Sequence, residues 1–534
     1  MLNNNRKRNE NLEINECTSR ATCSISPTIA ALEVIAVIFL KHLSFYLLEL
    51  KKTGVENLQI QHEIVNILAS LTALNEYSEN ELYEIVLKEY FILEEVKKTY
   101  IDIATASGQT PKLLQEVPEF DEKTTMPRAI MLGEKNNIIP DRNLEINKFV
   151  TILLLVLQSI SLNLVSYSNL KEFDNEIFYQ ILSALNTLNC RKMTKQMLKD
   201  EIRKITQLDI ELQIKIANEF LNTYSGISKV DVSHSSRKGK AILVSGNNFS
   251  NLYDILLETE GKNIDVYSHS NLLIAHAMSE FRKFEHFQGH YGSKTENCIL
   301  DFATFPGAIL MTKNFKNNTE YLYRGRLFST DYIVPKGVKK IINNDFSPVI
   351  EETLRAKGFA KGKIKGDTPL GYNEEDVLAK FHEIVERLKS GSLKRLYIIG
   401  IDPLNERENA YYHDLLDSLT SDEFAISFSY ESNEDNVLSI NIGNYIPLMS
   451  KLLQMLFKDY SIASENITFF FTTCDVMTLS MVLAVATKGA ENIFMTQCLP
   501  TVINPLVFTV FEDEYNVKVI TSPDLDLDEI RRKK

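Results

Sequence analysis

Across residues 26–226 apolar side chains recur at three- and four-residue spacing and glycine is scarce, a pattern that predicts one amphipathic helix after another. Two segments here share one plan: TIAALEVIAVIFLKHLSFY from Thr28 and LEINKFVTILLLVLQSISL from Leu144 each have a polar start, a long apolar helix and a Leu/Tyr-rich continuation. That predicts an internal duplication of a three-helix unit. Between them, residues 108–142 carry Pro111, Pro118, Pro127 and Pro140 and predict a connection with little regular structure. The uncharged run 149–167 is nearly long enough to cross a bilayer, but Gln158, Ser159, Ser161 and Asn163 interrupt its second half. A buried bundle helix whose polar groups face a neighbour's backbone or water is the reading, with no membrane span.

After Val230 the period shortens, and β-branched runs alternate with helical ones: KAILVSG from Lys240, NIDVYS from Asn263, GAILMT from Gly307, then a helix over 377–389. A second series follows, with KRLYIIGI from Lys394, FAISF from Phe424, ITFFFT from Ile467, NIFMT from Asn492 and VKVITS from Val517. Such alternation predicts parallel sheets wrapped by helices. Between the two series, RAKGFAKGKIKGDTP from Arg355 reads by its glycines and Pro369 as an interdomain linker. The expected fold is multidomain, α followed by α/β: a tail over 1–25, a helical domain over 26–230, Rossmann-like domains over 231–354 and 373–534, and a basic linker over 355–372.

A chain of 534 residues accommodates several cores at roughly 150 residues per domain, and 44% hydrophobic with 24% charged residues is an ordinary globular composition. The net charge of −13 excludes wholesale coating of nucleic acid, so any such contact needs a local basic patch. Six cysteines (Cys17, Cys23, Cys190, Cys298, Cys474 and Cys498) are mostly isolated and form no dense disulfide framework, which favours a reducing compartment. The amino terminus has no apolar core of a signal peptide, and its acidic residues fit a transit peptide poorly. A cytoplasmic location is expected, with an organelle of mitochondrial descent as the alternative.

Local motifs are weak. Ser245-Gly246 closes a strand and opens a helix, but no glycine-rich phosphate loop occurs anywhere, so it reads as a strand-to-helix turn. His286 and His290, beside Glu285, have metal-ligand spacing, yet Gly289 and Gly292 argue against an aligning helix, and they read as surface or packing residues. Arg355, Lys357, Lys361, Lys363 and Lys365 could hold RNA or read as a solvated linker. Cys17 and Cys23 make half of a four-ligand site.

Longer strings carry a resemblance. VYSHSNLLIAH from Val266, HFQGHYGS from His286, FPGAILMTKN from Phe305, DFSPVI from Asp345, KSGSLKR from Lys389, AYY from Ala410 and LPTVINP from Leu499 resemble, in order and spacing, the hybrid-cluster proteins, also called prismane proteins or hydroxylamine reductases. The resemblance implies a helical domain of two three-helix bundles followed by two Rossmann-like domains. It also implies an iron–sulfur–oxygen cluster held by one His, two Glu and four Cys, with a second, cubane-type cluster near the amino terminus. Here the ligand positions are occupied by Asn247, Asn271, Phe315 and Ile401 and, on a looser match, by Tyr430, Gly443 and Asp475, with Met477 in place of the family's neighbouring lysine; of these only Asp475 keeps a ligand's chemistry. Bulky Phe315, Ile401 and Tyr430 are expected to plug the vacated site, and Cys17 and Cys23 to be a remnant of the cubane pair.

The resulting expectation is a pseudoenzyme with no cofactor, acting as a binding or scaffold protein, with a protein partner or larger assembly first and RNA through the basic linker second. The tail, that linker and the carboxy end around Arg531 are the candidate surfaces. The alternative is a hydroxylamine or nitric oxide reductase with a rearranged metal site around Asp475, Cys474 and the histidines. A nucleotide-binding enzyme is a third class, and it lacks a phosphate-loop motif.

Overall fold

A computed structural model describes residues 25–532 except 115–118, 140–142, 293–297, 313–322, 335–336, 402–405, 430–431, 433, 458–463 and 500–501. Phe315, Tyr430, Cys17, Cys23 and the tail ahead of Ile25 lie outside the described residues.

The helical domain comprises α1 (Pro27–Lys51), α2 (Leu58–Ser70), α3 (Glu79–Ala106), α4 (Met126–Lys135), α5 (Leu144–Ser168), α6 (Asn175–Thr187) and α7 (Lys195–Thr223). Most start at a side-chain cap that satisfies an otherwise unpaired backbone N–H: Ser26, Asn57, Asn143, Asp174 and Thr194, with a full capping box from Ser78 and Glu81 on α3. The duplication is visible in the helix lengths, 25, 13 and 28 residues for α1–α3 against 25, 13 and 29 for α5–α7. In each unit the first helix packs on the third, while the short middle helix crosses to the other unit, α2 against α5 and α6 against α1. The two bundles are therefore interlocked rather than side by side. Both α1 and α5 are apolar and long enough to span a membrane, but 89% and 83% of their most apolar windows are buried in the protein. The expected irregular connection over 108–142 contains α4, because Pro127 occupies the first turn, where its missing N–H costs nothing.

The first α/β domain runs β1 (Val230–Ser233), β2 (Lys240–Ser245), α8 (Phe249–Thr259), β3 (Ile264–His269), α9 (Ser279–Arg282), β4 (Phe287–His290), α10 (Cys298–Thr304), β5 (Ala308–Met311), β6 (Leu327–Ser329), β7 (Lys339–Lys340), α11 (Ser347–Arg355) and β8 (Asp367–Leu370). The second runs α12 (Glu374–Lys389), β9 (Arg395–Ile399), α13 (Glu406–Asp417), β10 (Glu423–Ser427), β11 (Val437–Ser439), α14 (Ile446–Phe457), β12 (Ile467–Phe471), α15 (Val476–Thr487), β13 (Asn492–Met495), α16 (Pro505–Tyr515), β14 (Val517–Val519) and α17 (Pro523–Arg532). Each holds a six-stranded parallel sheet, ordered β4-β3-β2-β5-β6-β7 and β11-β10-β9-β12-β13-β14. In both, the chain steps outward from the central strand and then returns beside it, so the order reverses between β2 and β5 and between β9 and β12. A crevice opens at the carboxyl ends of the strands at such a reversal.

The basic stretch expected to be a free linker is paired. β8 runs antiparallel to β1, and upstream of it Ser236 and Lys363 exchange two backbone hydrogen bonds of 2.8 Å, as Gly239 and Phe359 do at 3.1 and 2.8 Å. The correction has a physical reason: small residues let the strand lie close, and Gly358 sits at φ +71° where a Cβ would come within 2.2 Å of the Gly239 carbonyl oxygen. One apolar core runs continuously from the helical domain through one face of both sheets, and the opposite faces carry smaller cores around Tyr267, Phe302 and Phe305 and around Tyr397, Tyr412 and Leu415.

Candidate functional site

The two sheet reversals and α5 converge on a cavity of about 600 Å³, its solvent-open mouth included. Asn247 and Asn248 reach it from the turn after β2, and Asn271 from the 3-10 helix after β3. Asn444 to Pro447 reach it from the start of α14, Met477 from the first turn of α15, and Asn163 and Ser166 from α5. The β2–β5 crevice is zipped shut behind it: the Thr312 N–H donates to the Ser245 carbonyl at 2.8 Å, and its Oγ1 accepts from the Asn248 N–H at 3.1 Å. Gly443, at φ +59°, lets the loop after β11 press on Ile274, whose backbone nitrogen would be 3.0 Å from an added Cβ.

Three of the positions expected from the sequence, Asn247, Asn271 and Met477, thus line one cavity, with Gly443 next to its wall. Ile401 does not; buried beyond β9, it fills a smaller void at the second reversal with Phe471, Met449 and Met481. Of the three residues expected to plug the vacated site, only Ile401 is among the described residues, and the cavity lined by the amides is open. Asp475 is corrected too: its Oδ1 accepts from the Met477 and Thr478 N–H groups, both at 2.9 Å, and its Oδ2 from Thr478 Oγ1, making it the cap of α15. Cys474 beside it is bonded to Cys498 as a disulfide that ties the loop after β12 to the loop after β13, which corrects the reading of these cysteines as isolated. Among the described residues no three His, Cys, Asp or Glu side chains cluster closely enough to hold a metal ion.

Behind the cavity, Asp209 on α7 is wholly buried and accepts three hydrogen bonds: from Ser159 Oγ and Asn163 Nδ2 on α5, both at 2.7 Å, and from Ser480 Oγ on α15 at 2.6 Å. Burial raises its carboxyl pKa, opposed by these three donors. Two of the polar residues that interrupt the apolar run of α5, Ser159 and Asn163, therefore serve one carboxylate, while Ser161 Oγ donates to the Leu157 carbonyl at 2.7 Å; Asn163, with its Nδ2 so engaged, turns its carbonyl end free.

The histidines form a separate network. Ser268 Oγ, at the end of β3, shares hydrogen bonds with His276 Nε2 at 2.9 Å and His290 Nδ1 at 2.8 Å, while His234 bridges the His290 carbonyl and Thr368 Oγ1. His269 shares one of 2.8 Å with Ser245 Oγ and faces Asp301 at 3.5 Å. Burial pushes His276 down to about 3 and His290 well below the usual imidazole range, so both rings are neutral packing groups. His286 shares bonds with Thr259 and the Leu256 carbonyl. At the surface, Arg355 is paired with Glu351 and Arg531 with buried Glu423, whereas Lys357, Lys361, Lys363 and Lys365 form no ion pair with a described residue.

Residues 13–427 match the Prismane/CO dehydrogenase family. A protein named hydroxylamine reductase from Thermodesulfovibrio yellowstonii is 25% identical over 97% of this chain and 98% of its own length. Another of that name from Solidesulfovibrio magneticus is 31% identical over 54% of this chain and 57% of its own. A solved structure, described as NiZn[Fe4S4] and NiNi[Fe4S4] clusters in closed and open alpha subunits of acetyl-CoA synthase/carbon monoxide dehydrogenase, shares the fold. It does so over 96% of this chain and 83% of that chain, with a TM-score of 0.50 at 12% identity.

Proposed function

This chain belongs to the Prismane/CO dehydrogenase family, and from that premise we propose that it is a member without redox catalysis, a binding or scaffold protein within a larger protein or ribonucleoprotein assembly. The observation that carries the reading is the donor set of the site. Where the resemblance implies a histidine, a glutamate and a cysteine as ligands, the chain has the carboxamides Asn247 and Asn271 and the aliphatic Ile401, and the carboxylate of Asp475 is spent on capping α15. Neutral amides supply neither the charge nor the softness that iron–sulfur chemistry draws from thiolates, so the residues present do not fit the cluster. Iron and acid-labile sulfide, measured with a visible spectrum on protein purified without oxygen, are expected below a tenth of an equivalent per chain. Stoichiometric iron and sulfide would overturn the reading in favour of hydroxylamine or nitric oxide reduction.

For the partner, the ribbon of residues 234–240 and 356–366 is the surface whose geometry favours a class. Lys361, Lys363 and Lys365 are exposed along this ribbon at every second residue, on either side of the bridge between Lys363 and Ser236. Unpaired cations in a row on an otherwise acidic chain suit the phosphates of an extended single strand such as RNA. Lys365 Nζ also lies 5.5 Å from the centre of the half-buried Tyr291 ring. With four lysine contacts, counterion release predicts a salt slope of about −3, a loss of roughly 50-fold in affinity for single-stranded RNA between about 50 and 200 mM salt. Glutamate at Lys357, Lys361, Lys363 and Lys365 should remove that binding and leave the melting temperature within a few degrees; unchanged RNA affinity would sink the assignment.

A further inference from the structure

The lining of the cavity at the domain junction specifies more than the loss of a metal. We propose that this cavity binds a small uncharged heteroaromatic molecule bearing amide-type donors and acceptors, of the nucleobase class; the inference rests on the reading that the cluster is lost. The cavity's volume of about 600 Å³ includes the solvent at its mouth, so the part enclosed by protein suits only a small ligand. No Asp, Glu, His, Lys or Arg is among the described residues that line it, so none of these offers a charged ligand a counterion.

The helix ends that face it do not make up for that. At α8 the Asn248 Oδ1 already accepts from the Asn251 N–H at 3.1 Å, and α15 is capped by the Asp475 carboxylate. The first turn of α14 contains Pro447, which has no N–H. With those positive ends largely answered, and a carboxylate behind Met477, an anion is disfavoured.

What remains is neutral and bivalent. The side-chain amides of Asn169, Asn247 and Asn271 make no hydrogen bond to a described residue, and Asn163 presents its carbonyl end. An amide pairs two-pronged with a nucleobase edge, donating through its nitrogen and accepting through its oxygen. The Phe249 and Tyr445 rings, 5.1 Å apart and at 75°, supply an apolar wall against which a flat ring can lie. The position agrees with the chemistry, since ligands of open parallel sheets sit where the strand order reverses, and here two such places meet. Free base or nucleoside fits this lining better than nucleotide, because no glycine-rich turn or cation is among its described residues to take a phosphate.

Isothermal titration of the full-length protein with adenine, uracil and nicotinamide tests the inference, with AMP and inorganic phosphate as charged controls. Saturable one-to-one binding of at least one neutral probe is expected, invariant between about pH 6 and 8 because none of the described lining residues titrates there. Asn247→Leu and Asn271→Leu are each expected to weaken it about tenfold or more, the loss of a paired amide in a desolvated site. Both variants should melt with the parent, since neither amide has a partner to lose, so lost binding cannot be mistaken for lost fold. Folded, iron-free protein that ignores all three neutral probes, or that binds inorganic phosphate in their place, overturns this inference and leaves the loss of the cluster standing. Stoichiometric iron would instead remove the reading beneath it.

Discussion

Asp209→Ala is expected to lower the free energy of unfolding by about 4 kcal/mol, and to loosen two domains at once. Its carboxylate accepts from Ser159 and Asn163 on α5 and from Ser480 on α15, all buried. Truncation strands three desolvated donors at roughly 1 to 3 kcal/mol each and leaves a void, partly offset by no longer burying a carboxyl group. Asp209→Asn is expected to cost less, because the new carboxamide can keep its oxygen toward Asn163 Nδ2 and turn its nitrogen toward Ser159 and Ser480, whose hydroxyls accept as well as donate. Urea melts followed by circular dichroism measure both variants, and a loss under about 1 kcal/mol for Asp209→Ala would show that the three hydroxyl and amide donors find other acceptors.

Stability should pass through a maximum in mildly acidic solution and fall on both sides, for two unrelated reasons. Burial raises Glu33 from 4.5 to about 7 and Glu89 well above its ordinary value; neither Glu89 oxygen has a hydrogen-bond partner among the described residues. In the folded chain these carboxyls keep protons that the unfolded chain has released, so stability is fully present below about pH 4.5 and drains away as pH rises through 7. For Glu33 alone that is about 3 kcal/mol. His276 works in the opposite direction: folded at about 3 against 6.5 unfolded, it costs stability as pH falls below 6.5, about 4 to 5 kcal/mol by pH 3, and His290 adds to it. The double variant Glu33→Gln, Glu89→Met is expected to raise stability at pH 8 by at least about 3 kcal/mol while leaving the acid limb in place. An alkaline limb of unchanged depth would assign it to other groups.

The periodic elements were legible in the sequence because period reports burial directly: the duplicated helices α1 and α5 and the central strands β2, β3, β5, β9, β10, β12 and β13 stand where the apolar pattern put them. Elements that depend on partners were not. β4 is four residues with a glycine in it, β7 is two lysines, and the ribbon is written in the lysines and glycines of a flexible linker. At the site, the resemblance led to Asn247, Asn271 and Met477, but Asn169 and Asn444 to Pro447 come from elements that meet only in the folded chain. Two signals were present and went unused. Asp475 stands directly before an apolar helical run, as a helix cap does, and Asn163 was already an anomaly in an apolar helix that a buried partner explains. Cys474 and Cys498 are 24 residues apart, and no local pattern pairs them.

The pairing of β1 with β8 has a bearing on how the chain assembles. Val230 lies opposite Leu370, so the first sheet domain begins and ends at one seam, and everything between is an excursion that returns to its starting point. Closing a loop of that length costs little more entropy than closing one half as long, about 0.6 kcal/mol per doubling. The domain can thus mature as a folding unit of its own, and a nascent chain need not wait for the second sheet before docking the first on the helices. The excursion is still no free insert, because the apolar face it carries, Phe249 and Phe281 among it, has to close against the helices and the second sheet before the shared core is complete.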